Sequence, residues 1–137
     1  MECLKFGVPK VKNILDIKMD NKEFGKLLES RTKKFAISII NISISLPNTP
    51  EGKVLKNQLT KSGTSVGANY REANRARSKA DFANKIKICE SEASETVYWL
   101  EIITDLNWGD FEKMKLILLE VNEILAIFTS IGKDLKL

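Results

Sequence analysis

From residue 24 onward, the sequence contains four long stretches in which apolar residues recur every three or four positions, separated by short turn-forming segments. This spacing places the apolar side chains on one side of an α-helix, whereas a half-buried strand would alternate apolar and polar residues. Seven glycines and three prolines in 137 residues are also too few for a loop-rich β-sandwich. The pattern predicts an all-α protein with helices over residues 24–46, 50–77, 78–106 and 111–131. The predicted apolar faces include Leu27 in the first helix, Val97 in the third, and Leu118 and Leu125 in the fourth, where Ile117 and Ile124 broaden the face.

Residues that favour the start of a helix precede three of these stretches. Thr49 is a suitable N-cap for the second stretch, and Pro50 fits its first helical position. Ser78 begins a segment that resembles a capping box, and Asp110 is a suitable N-cap for the fourth stretch. Because the connections are only a few residues long, consecutive long helices must lie side by side and antiparallel.

The length of 137 residues and the apolar share of 43% fit one domain with a substantial core. We therefore predict an antiparallel up-down-up-down four-helix bundle over residues 23–137. Residues 1–22 lack a clear apolar period and are interpreted as a short N-terminal tail.

Gly63 and Gly67 lie inside the second predicted helix, where each glycine costs about 1 kcal/mol relative to alanine. They are four residues apart and share one face, which favours close approach of a neighbouring backbone. The alternative is a break of the helix into a loop at residues 62–65.

The composition excludes most catalytic chemistry. The sequence contains no histidine and only two cysteines, Cys3 and Cys89, so Ser-His, Cys-His and His-metal sites are all impossible. Two thiols cannot fill a tetrahedral zinc site, and a di-iron bundle needs Glu-x-x-His motifs. Cys89 lies within the apolar row of the third helix and is predicted to be a buried thiol. We expect no enzymatic activity, no catalytic residue, no metal and no cofactor.

The sequence also carries an expectation about location. Its beginning lacks a basic segment followed by an apolar stretch, and no apolar run approaches the roughly 20 residues that span a bilayer. Two distant cysteines without an export signal are best interpreted as reduced thiols. We expect a cytoplasmic protein that does not bind membranes.

Charge is strongly segregated along the chain. Residues 53–87 contain nine basic and two acidic side chains, whereas residues 88–123 contain two basic and nine acidic ones. An up-down-up-down arrangement gathers many of the cations at one end of the bundle. The candidate nucleic-acid-binding residues there are Arg71, Arg75, Arg77, Lys79, Lys85 and Lys87, with Lys22, Lys26, Arg31, Lys133 and Lys136 expected nearby. The opposite end is expected to receive Glu51, Glu101, Asp105, Asp110 and Glu112.

Two interpretations of this basic end remain open. It is either a solvated helix surface or a surface that binds the phosphates of nucleic acid, RNA before DNA, with steep salt dependence and little sequence preference. Tyr70 is predicted in or beside the core, and Tyr98 and Trp99 lie toward the acidic half. The aromatic residues therefore do not favour sequence-specific recognition by base stacking.

Several polar residues are interpreted as structural or interface groups rather than catalytic ones. Glu72 is predicted to pair with Lys85 across the second turn of the bundle, with Asn69 nearby. Glu95 beside Trp99 is interpreted as a hydrogen-bond acceptor at an interface. The third and fourth helices also carry more apolar surface than one bundle core requires, which favours a homo-oligomer.

Residues 65–82, 95–102 and 123–131 resemble the four-helix bundle proteins of the 23S rRNA intervening-sequence family. The resemblance implies a ring-like homo-oligomer, a pentamer, with no established enzymatic activity. The fold is also similar to that of the accessory protein of diversity-generating retroelements, a basic pentamer that works with a reverse transcriptase. This likeness supplies an alternative function, a scaffold or adaptor that recruits a protein partner such as a reverse transcriptase without binding free nucleic acid.

Overall fold

The computed structural model describes residues 21–135, which are helical apart from short connections and contain no strand. The helices are α1 (Asn21–Ile44), α2 (Pro50–Ala73), α3 (Lys79–Asp105) and α4 (Phe111–Asp134). Each helix packs against the next, and α1 also contacts α4, so the predicted up-down-up-down bundle is confirmed. None of these four helices is long and apolar enough to cross a membrane.

The predicted N-caps close the starts of α2, α3 and α4. The side-chain oxygens of Thr49, Ser78 and Asp110 each accept a hydrogen bond from the backbone N–H three residues later, all at 3.0 Å. Each cap satisfies one of the N–H groups that the first helical turn leaves without a partner. These local signals explain why the helix starts agree with the sequence prediction.

The other helix ends differ from the prediction by a few residues. The helix α1 begins at Asn21, inside the predicted tail, of which residues 1–20 lie outside the described part of the chain. The helix α2 ends at Ala73 rather than at residue 77, because Ser78 must take an extended conformation to cap α3. The helix α4 continues to Asp134, three residues further than predicted.

The core is a single cluster of apolar side chains from all four helices. Cys89 is completely buried within it, as predicted. The apolar face of α3 includes Thr96 in place of the expected Val97, which is only half-buried. Thr96 is tolerated there because its hydroxyl lies 2.7 Å from the carbonyl oxygen of Glu92 and 3.0 Å from Oγ of Ser62.

Three further positions of the predicted apolar faces lie outside the core. In α4, Leu118 and Leu125 of the predicted face are only half-buried, whereas Ile117 and Ile124, which broadened that face, are buried. In α1, Leu27 was expected on the apolar face but is 56% exposed. Both helices carry more apolar residues than one face holds, so the spacing alone does not decide which row faces the core.

The two glycines of α2 lie against α1 in an unbroken helix, so the loop alternative is wrong. A Cβ atom at Gly63 would lie 2.7 Å from Cγ2 of Ile39, and one at Gly67 would lie 3.0 Å from Oγ1 of Thr32. The predicted close approach of a neighbouring helix is confirmed.

Candidate nucleic-acid interface

The end of α2, the connection to α3 and the first turns of α3 form a cationic surface. We call this surface the basic pole and define it by the six predicted residues Arg71, Arg75, Arg77, Lys79, Lys85 and Lys87. Five of them are exposed, and Lys85 is half-buried. The antiparallel packing places the start of α1 and the end of α4 at the same end of the bundle.

Four of these cations have no ionic partner within the described part of the chain: Arg75, Arg77, Lys79 and Lys87. None of the ion pairs formed within residues 21–135 involves them. Three of the four, Arg75, Arg77 and Lys79, lie in or at the end of the short connection between α2, which ends at Ala73, and α3, which begins at Lys79. Their positive charge is therefore available to an external anion.

Lys85 forms the predicted ion pair with Glu72, with Nζ and Oε1 2.9 Å apart. The hydrogen bond and the opposite charges lower the pKa of Glu72 and raise the pKa of Lys85. Asn69, which was expected near this pair, donates its amide hydrogen to the carbonyl oxygen of Ser65, one turn earlier in α2. Lys85 thus contributes less free charge than its neighbours.

Glu29 of α1 lies beside the pole, and the sequence analysis did not identify it. One of its oxygens lies 3.8 Å from Nε of Arg71, and the other accepts a hydrogen bond of 2.8 Å from the amide of Asn74. These contacts fix the end of α2 against α1 and offset part of the charge of Arg71. Predicting these contacts would require the register between α1 and α2, which the sequence does not specify.

Arg31 was expected at the basic end, and the structure corrects this assignment. Its guanidinium makes two hydrogen bonds of 2.8 Å to the carboxylate of Glu120 and lies 3.1 Å from Glu123. This fork geometry raises the pKa of Arg31 and lowers the pKa of Glu120. Arg31 joins α1 to α4 and is neutralised there, so it does not add to the pole.

Comparison with known proteins identifies the family of this chain. A sequence model described as 23S rRNA-intervening sequence protein matches residues 28–130. The chain belongs to this family. The resemblance noted in the sequence is therefore confirmed over all four helices.

A solved structure is similar to this chain and supports the four-helix fold. It is the crystal structure of a protein with unknown function from the S23 ribosomal protein family, from Bacteroides thetaiotaomicron. The two sequences are 38% identical, the match covers 80% of this chain and 97% of the other, and the TM-score is 0.73. Among curated proteins, none matches this chain.

Glu95 and Trp99, the predicted interface pair, lie further along α3 than the basic pole. The indole N–H of Trp99 donates to Glu95 at 3.1 Å, and the ring packs edge-on against Tyr98 with centroids 5.0 Å apart. Desolvation and the nearby Glu95 raise the pKa of Glu92 on the same helix. The role of this cluster in an interface between subunits stays a prediction.

A shallow depression of about 660 Å³ lies between α3 and α4 and extends from Lys87 away from the pole. Its lining includes the carboxylates of Glu90 and Glu95. It also includes four hydroxyl groups from α3 and α4, those of Ser91, Ser94, Tyr98 and Thr129. Within residues 21–135, no group of three carboxylates or thiols gathers closely enough to hold a metal ion.

Proposed function

We propose that this protein is a non-enzymatic homo-oligomer of the cytoplasm that binds nucleic acid, RNA rather than DNA, through the basic pole. One observation carries the proposal: Arg75, Arg77, Lys79 and Lys87 are exposed, close in sequence and without carboxylate partners among the described residues. The description of its family, which refers to 23S rRNA, favours RNA as the first ligand to test.

The chemistry of the pole suits phosphate groups. Guanidinium groups bind phosphate oxygens through two parallel hydrogen bonds, and lysines add point charges. The exposed N-terminus of α3, which begins at Lys79, contributes N–H groups and the positive end of the helix dipole. Each cation that contacts a phosphate releases a counterion, so affinity falls steeply as salt rises.

The aromatic residues predict little sequence preference. Tyr70 is completely buried, and its ring packs edge-on against Phe128 with centroids 5.5 Å apart. Tyr98 and Trp99 pack on each other in the last third of α3 rather than at the pole. Among residues 21–135, no exposed ring is therefore placed among the four free cations to stack on a base, and binding depends on the backbone charge.

Assembly would strengthen this interaction. Residues 71–87 contain six basic and two acidic side chains, a net charge of +4 per subunit. A pentamer, the assembly that the family resemblance implies, would present five such surfaces on one rim when all subunits point the same way. Long nucleic acids would then contact several subunits at once.

The test is a fluorescence-anisotropy titration of a generic single-stranded RNA at about 50 and 200 mM salt. The pole variant carries Arg75→Gln, Arg77→Gln and Lys79→Gln. The matched control carries Lys53→Gln, Lys113→Gln and Lys115→Gln, which remove the same charge from exposed positions at the opposite end of the bundle.

We expect the pole variant to bind at least about tenfold more weakly at low salt, with a log–log salt slope reduced by about 2. The control should stay within about threefold of the wild type, because only non-specific net charge has changed. Equal losses in the two variants, or no binding by the wild type at low salt, would overturn the proposal. Stable capture of a protein partner in place of RNA would favour the adaptor function.

A further inference from the structure

A groove runs between α1 and α4 in the half of the bundle away from the basic pole. These two helices contact each other less than the other neighbouring pairs do, and a cavity of about 590 Å³ opens between them. Glu120, which pairs with Arg31, lies at the end of the cavity nearer the pole, and Ser45 and Asp110 lie at the far end. We call this cavity the α1–α4 groove.

The floor of the groove is apolar and its edges are polar. The floor is lined by Phe35 and Ile42 of α1 and by Met114 and Ile117 of α4, with Leu116, 64% exposed, beside them. The edges carry exposed hydroxyl, amide and ammonium groups, those of Lys34, Ser38, Asn41, Ser45 and Lys113. Covering an apolar floor is favourable, and polar edges of this kind supply hydrogen-bond partners to a peptide backbone. The groove is therefore suited to an extended apolar segment of polypeptide.

The chain contains such a segment directly before α1. Residues 1–20 lie outside the described part of the chain. Within them, residues 8–17 contain five large aliphatic side chains, those of Val8, Val11, Ile14, Leu15 and Ile17. Four of the five are β-branched, which favours extended backbone, and Pro9 favours an extended conformation at Val8.

The reach of this segment matches the position of the groove. The groove extends along α1 from Lys34 to Ser45, which is about 20 to 36 Å from Asn21. An extended chain that folds back from Asn21 covers this distance in about 6 to 11 residues, at about 3.3 Å per residue. With up to about two residues for the reversal, the groove lies over residues 8–15, which include four of the five aliphatic side chains.

We infer that residues 8–15 fold back antiparallel to α1 and pack in the α1–α4 groove of the same chain. The tether favours this occupant over a free ligand or a second copy, because a segment joined by a few residues is present at an effective concentration in the millimolar range. Alternate side chains of an extended segment point to the same side, so part of the aliphatic set covers the floor. The polar edges then pair with its backbone.

Thiol labelling at the edge of the groove tests this docking. The background is the full chain with Cys3→Ser, since the native Cys89 is buried. Asn41→Cys places a thiol at the exposed edge of the groove, and Ala68→Cys places a control thiol at an exposed position of α2 away from it. Each is labelled with the native segment and with a segment variant that keeps the net charge and carries Val8→Ser, Val11→Ser, Ile14→Ser and Leu15→Ser.

We expect the segment variant to raise the labelling rate of Asn41→Cys at least about tenfold and that of Ala68→Cys less than about twofold, because only the groove loses its cover. Circular dichroism should show unchanged helicity. Fast labelling of Asn41→Cys with both segments would show an open groove, and slow labelling with both would show a second copy or another ligand in it. Either result would overturn the inference.

Disulfide formation identifies the chain that supplies the segment. Asn41→Cys is paired in turn with Lys10→Cys, Val11→Cys and Lys12→Cys, the positions that the reach places opposite it. We expect at least one pair to form a disulfide within a single chain on a non-reducing denaturing gel, and none of the three to do so with Ala68→Cys. Disulfide-linked dimers, or no disulfide from any of the three pairs, would overturn the inference. Neither readout depends on RNA, so both are independent of the proposed function.

Discussion

At the scale of single residues, the two glycines of α2 set the distance between α1 and α2. Glycine in a helix costs stability, because the chain loses more conformational freedom on folding. Here the cost is offset, since the missing Cβ of Gly63 leaves room for the buried side chain of Ile39. Gly132 of α4 provides the contrast, because a Cβ there would meet nothing within 4 Å.

We therefore expect opposite effects from the same substitution at these two sites. Gly63→Ala should lower the free energy of unfolding by about 1–2 kcal/mol, because overpacking against a stiff β-branched side chain exceeds the gain in helix propensity. Gly132→Ala should raise the free energy of unfolding by about 0.5–1 kcal/mol. Urea unfolding at one fixed protein concentration measures both. Equal stabilisation by the two variants would contradict the close approach seen at Gly63.

Burial decides the chemistry of Cys89. Desolvation raises its pKa to about 12, and its thiol lies 3.5 Å from the carbonyl oxygen of Val66. The thiol is therefore uncharged near neutral pH, and an uncharged buried thiol is a poor nucleophile. The residue contributes to packing, as its position in the apolar row predicted.

At the scale of helices, Arg31 and Glu120 join the first helix of the bundle to the last. Glu120→Gln should lower the free energy of unfolding near pH 7 by about 1 kcal/mol, the upper range for a pair that is one-third exposed. The pKa of Glu120 is lower in the folded than in the unfolded chain. Its contribution is therefore present above the unfolded pKa of 4.5 and is lost as the pH falls through the folded value.

The check is urea unfolding of wild type and variant at about pH 7, 5 and 3. The difference between them should be the same at pH 7 and 5 and should shrink once the pH falls below 4.5. Glu101→Gln is the control, because Glu101 is exposed and forms no ion pair with any residue in the described range 21–135. A difference that stays constant with pH would show that the carboxylate charge is not the cause.

The elements show which features a sequence can predict. The starts of α2, α3 and α4 depend on caps such as Ser78, whose partner is three residues away, so local sequence suffices. The choice of Thr96 over Val97 for the core depends on Ser62 of another helix. Such contacts depend on the register between two helices, and the spacing of apolar residues within one helix does not determine that register.

The same division applies to the candidate site. The basic pole was predictable because antiparallel topology alone brings the end of α2 and the start of α3 together. The neutralisation of Arg31 and the contact of Glu29 with Arg71 were not predictable, because both depend on which turn of α1 faces its neighbour. The structure therefore removes Arg31 from the predicted basic end, while the six residues of the pole lie around the α2–α3 connection.

At the scale of the whole molecule, the position of the cations opposes local electrostatic preference. Lys79, Lys85 and Lys87 lie in the first turns of α3, where the helix dipole favours acidic residues. Only Lys85 has an acidic partner among the described residues. A surface that opposes the dipole and leaves its cations unpaired is better suited to an external polyanion than to the stability of the isolated subunit.

The last prediction joins assembly to binding. If subunits form a ring with all basic poles on one rim and the exposed apolar residue Ile40 packs between them, Ile40→Glu should separate them without changing any pole residue. Affinity for a short RNA of about 6 nucleotides, which reaches one pole, should then stay within about twofold. Affinity for an RNA of about 40 nucleotides should fall at least about tenfold, because contacts with neighbouring poles are lost.

Anisotropy titrations of both RNAs with wild type and variant measure this difference. Parallel losses for the two lengths would mean that the pole itself had changed, and an unchanged long-RNA affinity would show that one subunit accounts for all binding.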